Sequence, residues 1–166
     1  KDISDGASFD NNIMCISEKC IVAVESIVPA FVKQLEENGV YYIDNETEML
    51  QLTKTVLNHD MKMVRKMEGK SAMDILEEAG IHPNRPVRLV VVRTFAKHPL
   101  VLEECLMPVV PLVAVADFEE ALETALFTEQ GYRHTAMVHS QCIDRLSKAA
   151  KIMNTTVFIK NGSSLA

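Results

Sequence analysis

A cysteine at residue 15 stands in "FDNNIMCISEK", between an Asp-Asn-Asn run and a small, hydroxyl-bearing segment. A polar loop that gives way to "CISEK" suits the first turn of a short helix. There, free amide N–H groups and the helix dipole favour a thiolate, the nucleophilic form of cysteine. The competing reading is a buried and inert cysteine, the commoner fate of a thiol in a folded interior. Cys20 opens an apolar strand and Cys142 a helix, so both belong in or near the core. In "HPLVLEECLMPVVPLV" (98–113) two adjacent carboxylates, Glu103 and Glu104, precede a proline and a strand. Such a pair is ordinarily a solvated face unless other chemistry converges on it. In "GYRHTAMVHS" (131–140), His134 and His139 sit at the two ends of a strand. Either suits an acid, a base or a hydrogen-bond donor, and a lone histidine commonly does none of these. No metal site is expected: Cys15 and Cys20 are separated by four residues with no second close pair, and the His134/His139 spacing fits metal ligands only loosely.

The elements that must position these residues follow from short apolar runs alternating with amphipathic stretches, the pattern of βα units around a largely parallel sheet. "CIVAVES" (20–26) reads as a strand, and "PAFVKQLEEN" as a helix opened by Pro29 and stopped by Gly39. "VYYI" is a short strand, and "NETEMLQLTKTVLNHD" a helix capped by Asn45, with Glu48 at capping-box spacing. The basic, Met-rich stretch from Met61 to Lys70 reads as a surface connection. A helix over "SAMDILEEAGI" is capped by Ser71 and stopped by Gly80. "PVRLVVVRTF" has the β-branched density of a central strand; in "VVPLVAVA", Pro111 argues for an edge or a bulge. Asp117 caps "FEEALETALF", and "TAMVHS", "CIDRLSKAAKIM" and "TTVFIKN" give strand, helix and strand. The first residues read as polar loop and the last follow a strand directly, so the chain reads as a piece of something longer.

At 166 residues and 48% hydrophobic content, one sizeable core in a single α/β domain is expected. The formal charge of −6, with its positive residues scattered, gives no support for nucleic-acid binding. No apolar run approaches the roughly 18 to 20 residues that span a bilayer, and "KDISDGASFD" is too polar for a signal peptide, so no membrane partner is expected. Four irregularly spaced cysteines in a chain of this size fit reduced thiols and the cytoplasm.

Five stretches, "SFDNNIMCISEK", "EGKSAMDILEEAGI", "HPLVLEECLMPVVPLV", "GYRHTAMVHS" and "MNTTVFIKNGSSLA", resemble successive motifs of the CoA-acylating aldehyde dehydrogenases of ethanolamine and propanediol utilisation. They occur in the family's order and cover nearly the whole chain. The resemblance implies a three-layer α/β/α domain with a mainly parallel sheet. Residues 1–166 would be the nucleophile-bearing catalytic domain, with the nucleotide-binding domain absent and the isolated chain inactive. It implies NAD as cofactor, coenzyme A as co-substrate, a short aldehyde as substrate, a homo-oligomer at full length, and a place in the cytoplasm or inside a bacterial microcompartment.

The same resemblance makes Cys15 the nucleophile and its backbone N–H part of the oxyanion hole. Glu104 becomes the contact to the nicotinamide ribose. Leu106 stands beside the nicotinamide where the wider superfamily has phenylalanine, and Met107 replaces its glycine. His134, in the "HT" pair, is implied in CoA binding or acyl transfer. Two other readings stand beside this one: a hydrolytic aldehyde dehydrogenase, whose general base would lie upstream of residue 1, and a non-catalytic cysteine-bearing interaction or redox module.

Overall fold

A computed structural model describes residues 1–165; Ala166, the last residue of the expected domain, lies outside them. The chain begins in a helix, α1 (Asp2–Ser8), where the sequence suggested polar loop; Gly6 and Ala7 are buried there, so tertiary packing supports a turn that Asp, Ser and Gly do not favour by themselves. Strand β1 (Ile21–Val24) leads into α2 (Val28–Glu37), and β2 (Val40–Ile43) into α3 (Glu46–Val56). Asn45 caps α3 by accepting from the Glu48 N–H at 2.9 Å. The Glu48 carboxylate does not complete the capping box; it accepts from the Tyr41 hydroxyl at 3.2 Å. Helix α4 (Ala72–Glu78) has Ser71 as its cap and Gly80, at φ 74°, after its end.

β3 (Leu89–Thr94), a single-turn helix α5 (Pro99–Leu102), β4 (Val109–Val115) and α6 (Phe118–Glu129) follow. Asp117 caps α6 through hydrogen bonds from the Glu119 and Glu120 N–H groups. Strand β5 (Thr135–Val138), α7 (Ile143–Met153) and β6 (Val157–Lys160) complete the order.

The main sheet is parallel throughout, in the order β1-β4-β3-β2. Its strands are near-continuous apolar runs because both faces are covered. Alternation assigns Leu89 and Val91 to the face under α1 and α2, with Ala7, Val28 and Leu35. Val90 and Val92 point to the opposite face under α3 and α4, with Leu52, Val56, Ile75 and Leu76. The expected three-layer arrangement is therefore the observed one. Pro111 nevertheless lies in a central strand: it pairs with Val92 of β3, while pairing to β1 starts one residue later at Leu112. The missing donor falls where the β1 ladder has not begun, so the strand tolerates it.

Two expectations need correction. β5 and β6 do not extend the main sheet; they form a separate parallel pair joined through α7. Both are half-exposed, with Val157 39% exposed, so their β-branched residues serve a surface ribbon. The 61–70 segment is not a plain surface connection either. Met67 is fully buried, Met63 pairs with Leu57, and Met63 and Val64 pack against the core. Unbranched methionines fill the irregular space that a loop presents to a sheet.

Candidate functional site: a looped cysteine beside a carboxylate

Asp10, Asn11 and Asn12 take φ values of 46°, 51° and 61°, three successive left-handed residues. Asp and Asn are the non-glycine residues that accept this most readily. The backbone thus doubles back, and Asn12 is fully buried. Its Nδ2 donates to the Glu18 carbonyl at 3.0 Å, while Lys19 Nζ donates to both the carbonyl and the Oδ1 of Asn12. Residues 13–18 form a loop tied at its neck. Cys15 lies exposed near the outer end, in a turn where Ser17 N–H donates to Met14 C=O at 3.1 Å. No helix begins there, so the expected helix-start activation of Cys15 is corrected. Among the described residues no acceptor takes the Cys15 N–H.

A second anchor holds the loop from beneath. Glu18, 4% exposed, accepts from Ser164 N–H at 3.0 Å and from its hydroxyl at 2.8 Å. It also presses against Gly6 of α1, where a Cβ would lie 2.2 Å from Glu18 Oε2. Only glycine leaves room for a carboxylate held on two hydrogen bonds.

The adjacent glutamates divide their work. Glu103 accepts from Met63 N–H at 3.1 Å and pairs with Lys62 at 2.8 Å, fixing its own loop. Glu104 is exposed, makes no hydrogen bond among the described residues, and faces Lys19. Leu106 is half-buried on the same loop; its N–H meets the Met63 sulfur at 3.2 Å, and its carbonyl accepts from Gly69 N–H at 2.9 Å. The Gly69 carbonyl in turn accepts from Asn11 Nδ2 at 2.9 Å. Residues 62–69 therefore bridge the Glu104 loop to the Cys15 loop. His98 starts this region by capping α5, its Nδ1 accepting from Leu100 N–H at 3.2 Å.

Burial pushes Lys19 down to about 8, opposed most strongly by the Glu104 carboxylate, then by Cys105, Cys15 and Glu18. Burial also pushes the Cys20 and Cys105 thiols up to about 12. Cys142 departs from its expected near-core position. It is exposed at the N-cap of α7, next to Ile143, which is 76% exposed.

Cys15, Glu104 and Leu106 thus come together on two linked loops. His134 does not join them: it is exposed at the start of β5, its Nδ1 2.6 Å from Thr135 Oγ1, and no hydrogen bond or ion pair connects it to the Cys15 loop among the described residues. Sequence reasoning passed over Lys19 and Asn12. Their signal was a lysine four residues after the cysteine and an Asn-Asn pair before it. Among the described residues no three His, Cys, Asp or Glu side chains gather as a metal site, and no helix is long and apolar enough to cross a membrane.

No protein-family model matches the chain. The propanal dehydrogenase (CoA-propanoylating) of Salmonella typhimurium LT2 is 40% identical over 168 residues, covering all of this chain and 36% of that protein. A Rhodopseudomonas palustris propionaldehyde dehydrogenase, solved with bound CoA and an acylated cysteine, superposes at a TM-score of 0.94 with 38% identity, over 98% of this chain and 37% of that one. An engineered glycolyl-CoA reductase with bound NADP+ gives the same TM-score at 39% identity, again over 98% of this chain and 37% of that one. The chain spans about a third of the length of these relatives. Full-length coverage by relatives of one activity class, on the same fold, leads to one conclusion: over its described length this chain belongs to the CoA-acylating aldehyde dehydrogenases.

Proposed function

We propose that the protein containing this segment oxidises a short aldehyde to an acyl-CoA, and that residues 1–166 are its nucleophile-bearing catalytic domain. The observation that carries this is that Gly69, hydrogen-bonded to both Asn11 and Leu106, links the loop that presents the exposed Cys15 to the loop that carries the unpaired Glu104 carboxylate.

The Cys15 thiolate adds to the aldehyde carbonyl and forms a thiohemiacetal, whose oxyanion takes the otherwise free Cys15 N–H. The exposed Glu104 carboxylate and the neighbouring apolar Leu106 fit a nicotinamide ribose and ring. Glu104 would hold the ribose hydroxyls and Leu106 would flank the ring. Bound there, NAD supplies the hydride acceptor that converts the thiohemiacetal to an acyl thioester. The thioester on Cys15 is then open to a second thiol. CoA attacks its carbonyl, loses its thiol proton to solvent, and expels the Cys15 thiolate. His134 has its Nδ1 engaged by Thr135 and leaves Nε2 to solvent; its role on the CoA side is supported by the motif resemblance, as is a microcompartment location.

The last step runs backwards without aldehyde or NAD. Incubation with propionyl-CoA should acylate Cys15, seen by peptide mass mapping and reversed by added CoA. Acylation spread evenly over Cys15 and Cys142, or none at Cys15, contradicts the assignment.

A further inference from the structure

The two halves of the reaction make different demands on the chain. In the oxidation, the C–H bond at the thiohemiacetal carbon on Cys15 breaks, its electron pair passes to NAD, which is reduced, and the oxyanion closes to the thioester carbonyl. That transfer needs the sulfur-bound carbon and the nicotinamide at contact distance, so it depends on how the Cys15 loop sits against the loop of Glu104 and Leu106. Acyl transfer to CoA takes place on Cys15 and uses neither Glu104 nor Leu106. The 62–69 segment between the two loops is fastened unequally. Toward Glu104 it is held by Lys62 and the Met63 N–H on the Glu103 carboxylate, by the Leu106 N–H on the Met63 sulfur, and by the Gly69 N–H on the Leu106 carbonyl. Toward Cys15 a single hydrogen bond joins it among the described residues, from Asn11 Nδ2 to the Gly69 carbonyl at 2.9 Å. Beside that bond, Ile13 lays its Cδ1 2.9 Å from where a Cβ on Gly69 would stand. A carbonyl only accepts, so the bond also fixes which end of the Asn11 amide faces Gly69.

We infer that Asn11 is a positioning residue for the oxidation step: through Gly69 its amide sets the Cys15 loop against the loop of Glu104 and Leu106, and acyl transfer to CoA does not depend on it. This rests on the reading of Cys15 as the nucleophile and of Glu104 and Leu106 as the nicotinamide side. The neck of the Cys15 loop is tied separately, through Asn12, Lys19 and Glu18, so the loop keeps its own shape when the Asn11 bond is lost. Asn11 sits at φ 51°, which glycine and aspartate also accept, so the bond can be removed without changing the turn.

The test uses the full-length enzyme carrying Asn11→Gly, which keeps the left-handed turn and removes the donor. Single turnovers with NAD and propanal, without CoA, read the oxidation as the NADH burst. Acylation of Cys15 by propionyl-CoA, without NAD or aldehyde, reads acyl transfer by peptide mass mapping. The burst should slow about tenfold, the order of one lost hydrogen bond, and slow further with 1-deuterated propanal, while the acylation rate stays within about twofold of wild type. In the cofactor-free enzyme, hydrogen exchange should rise in residues 9–15 and stay at wild type in residues 62–70, since only the joint on the Cys15 side is lost. Equal slowing of both half-reactions, an unchanged burst, a slowed burst with no deuterium effect, or unchanged exchange in 9–15 overturns the proposal. Should Asn11→Gly lose its thermal transition, Asn11→Asp, which keeps the size and the turn but cannot donate to Gly69, takes its place with the same expected outcomes. The underlying reading fails by other signs: it falls, and the proposal with it, if the wild type is not acylated at Cys15 or if Glu104→Gln leaves the NAD dependence of the burst unchanged.

Discussion

Exposure and burial separate the four thiols into two pairs, and this gives the first test at the residue scale. Cys20 and Cys105, pushed up to about 12, stay protonated near neutral pH, whereas Cys15 and Cys142 are open to solvent. Limiting iodoacetamide at neutral pH should label Cys15 and Cys142 before the other two; early labelling of Cys20 or Cys105 contradicts the structure. That Cys15 follows a polar loop was legible in the sequence, but how that loop is held was not. The expected helix start is a tied turn, because Asn12 and Lys19 bond across a loop whose closure depends on three left-handed residues that no periodicity reveals. His98 gives a second residue-scale prediction. Burial depresses its pKa below the ordinary imidazole value, and its cap on α5 requires an unprotonated Nδ1. The folded state therefore binds the proton less readily than the unfolded chain. This stabilisation is fully present above the unfolded value of about 6.5 and is lost as pH falls through the lower folded value. Melting temperatures between pH 5 and 8 should show this loss, and His98→Asn, which keeps a capping acceptor, should flatten that part of the profile.

Among the elements, those with strong local signals were legible: the β-branched runs of β3 and β4, and the caps Asn45, Ser71 and Asp117. Helix α1 and the single turn α5 were not, since neither carries helix-forming residues in number and both depend on what they pack against. The separation of β5 and β6 was equally hidden, because pairing partners are chosen by three-dimensional burial and not by strand propensity. The same holds for the 62–69 bridge, whose Gly69 contacts with Asn11 and Leu106 join segments far apart in sequence. Gly6 is the sharpest point at this scale. A methyl group there meets the Glu18 carboxylate, which two Ser164 hydrogen bonds prevent from yielding cheaply. Gly6→Ala should cost about 1 to 3 kcal/mol in chemical denaturation and slow Cys15 acylation by disturbing its loop. An unchanged denaturation midpoint would show that Glu18 is free to move.

For the whole molecule, the segment spans about a third of its relatives, and several large apolar side chains lie open, among them Tyr132 at 79% and Ile143 at 76% exposed. The unpaired edges of the β5–β6 ribbon add to this surface. The 166-residue chain by itself should scatter light increasingly with concentration, and a clean monomer at high concentration would argue against these faces being interfaces. By itself it should also give no sustained NADH production, because on the proposed reading Glu104 and Leu106 supply only one side of a nicotinamide site. The central claim, acyl release from Cys15 to CoA, is tested most directly in single turnovers of the full-length enzyme. Mixing enzyme, NAD and propanal without CoA should give one burst of NADH per active site and then stall, and CoA should restart turnover with propionyl-CoA as product. Sustained turnover to propionate without CoA, or a burst that survives Cys15→Ala, would contradict it.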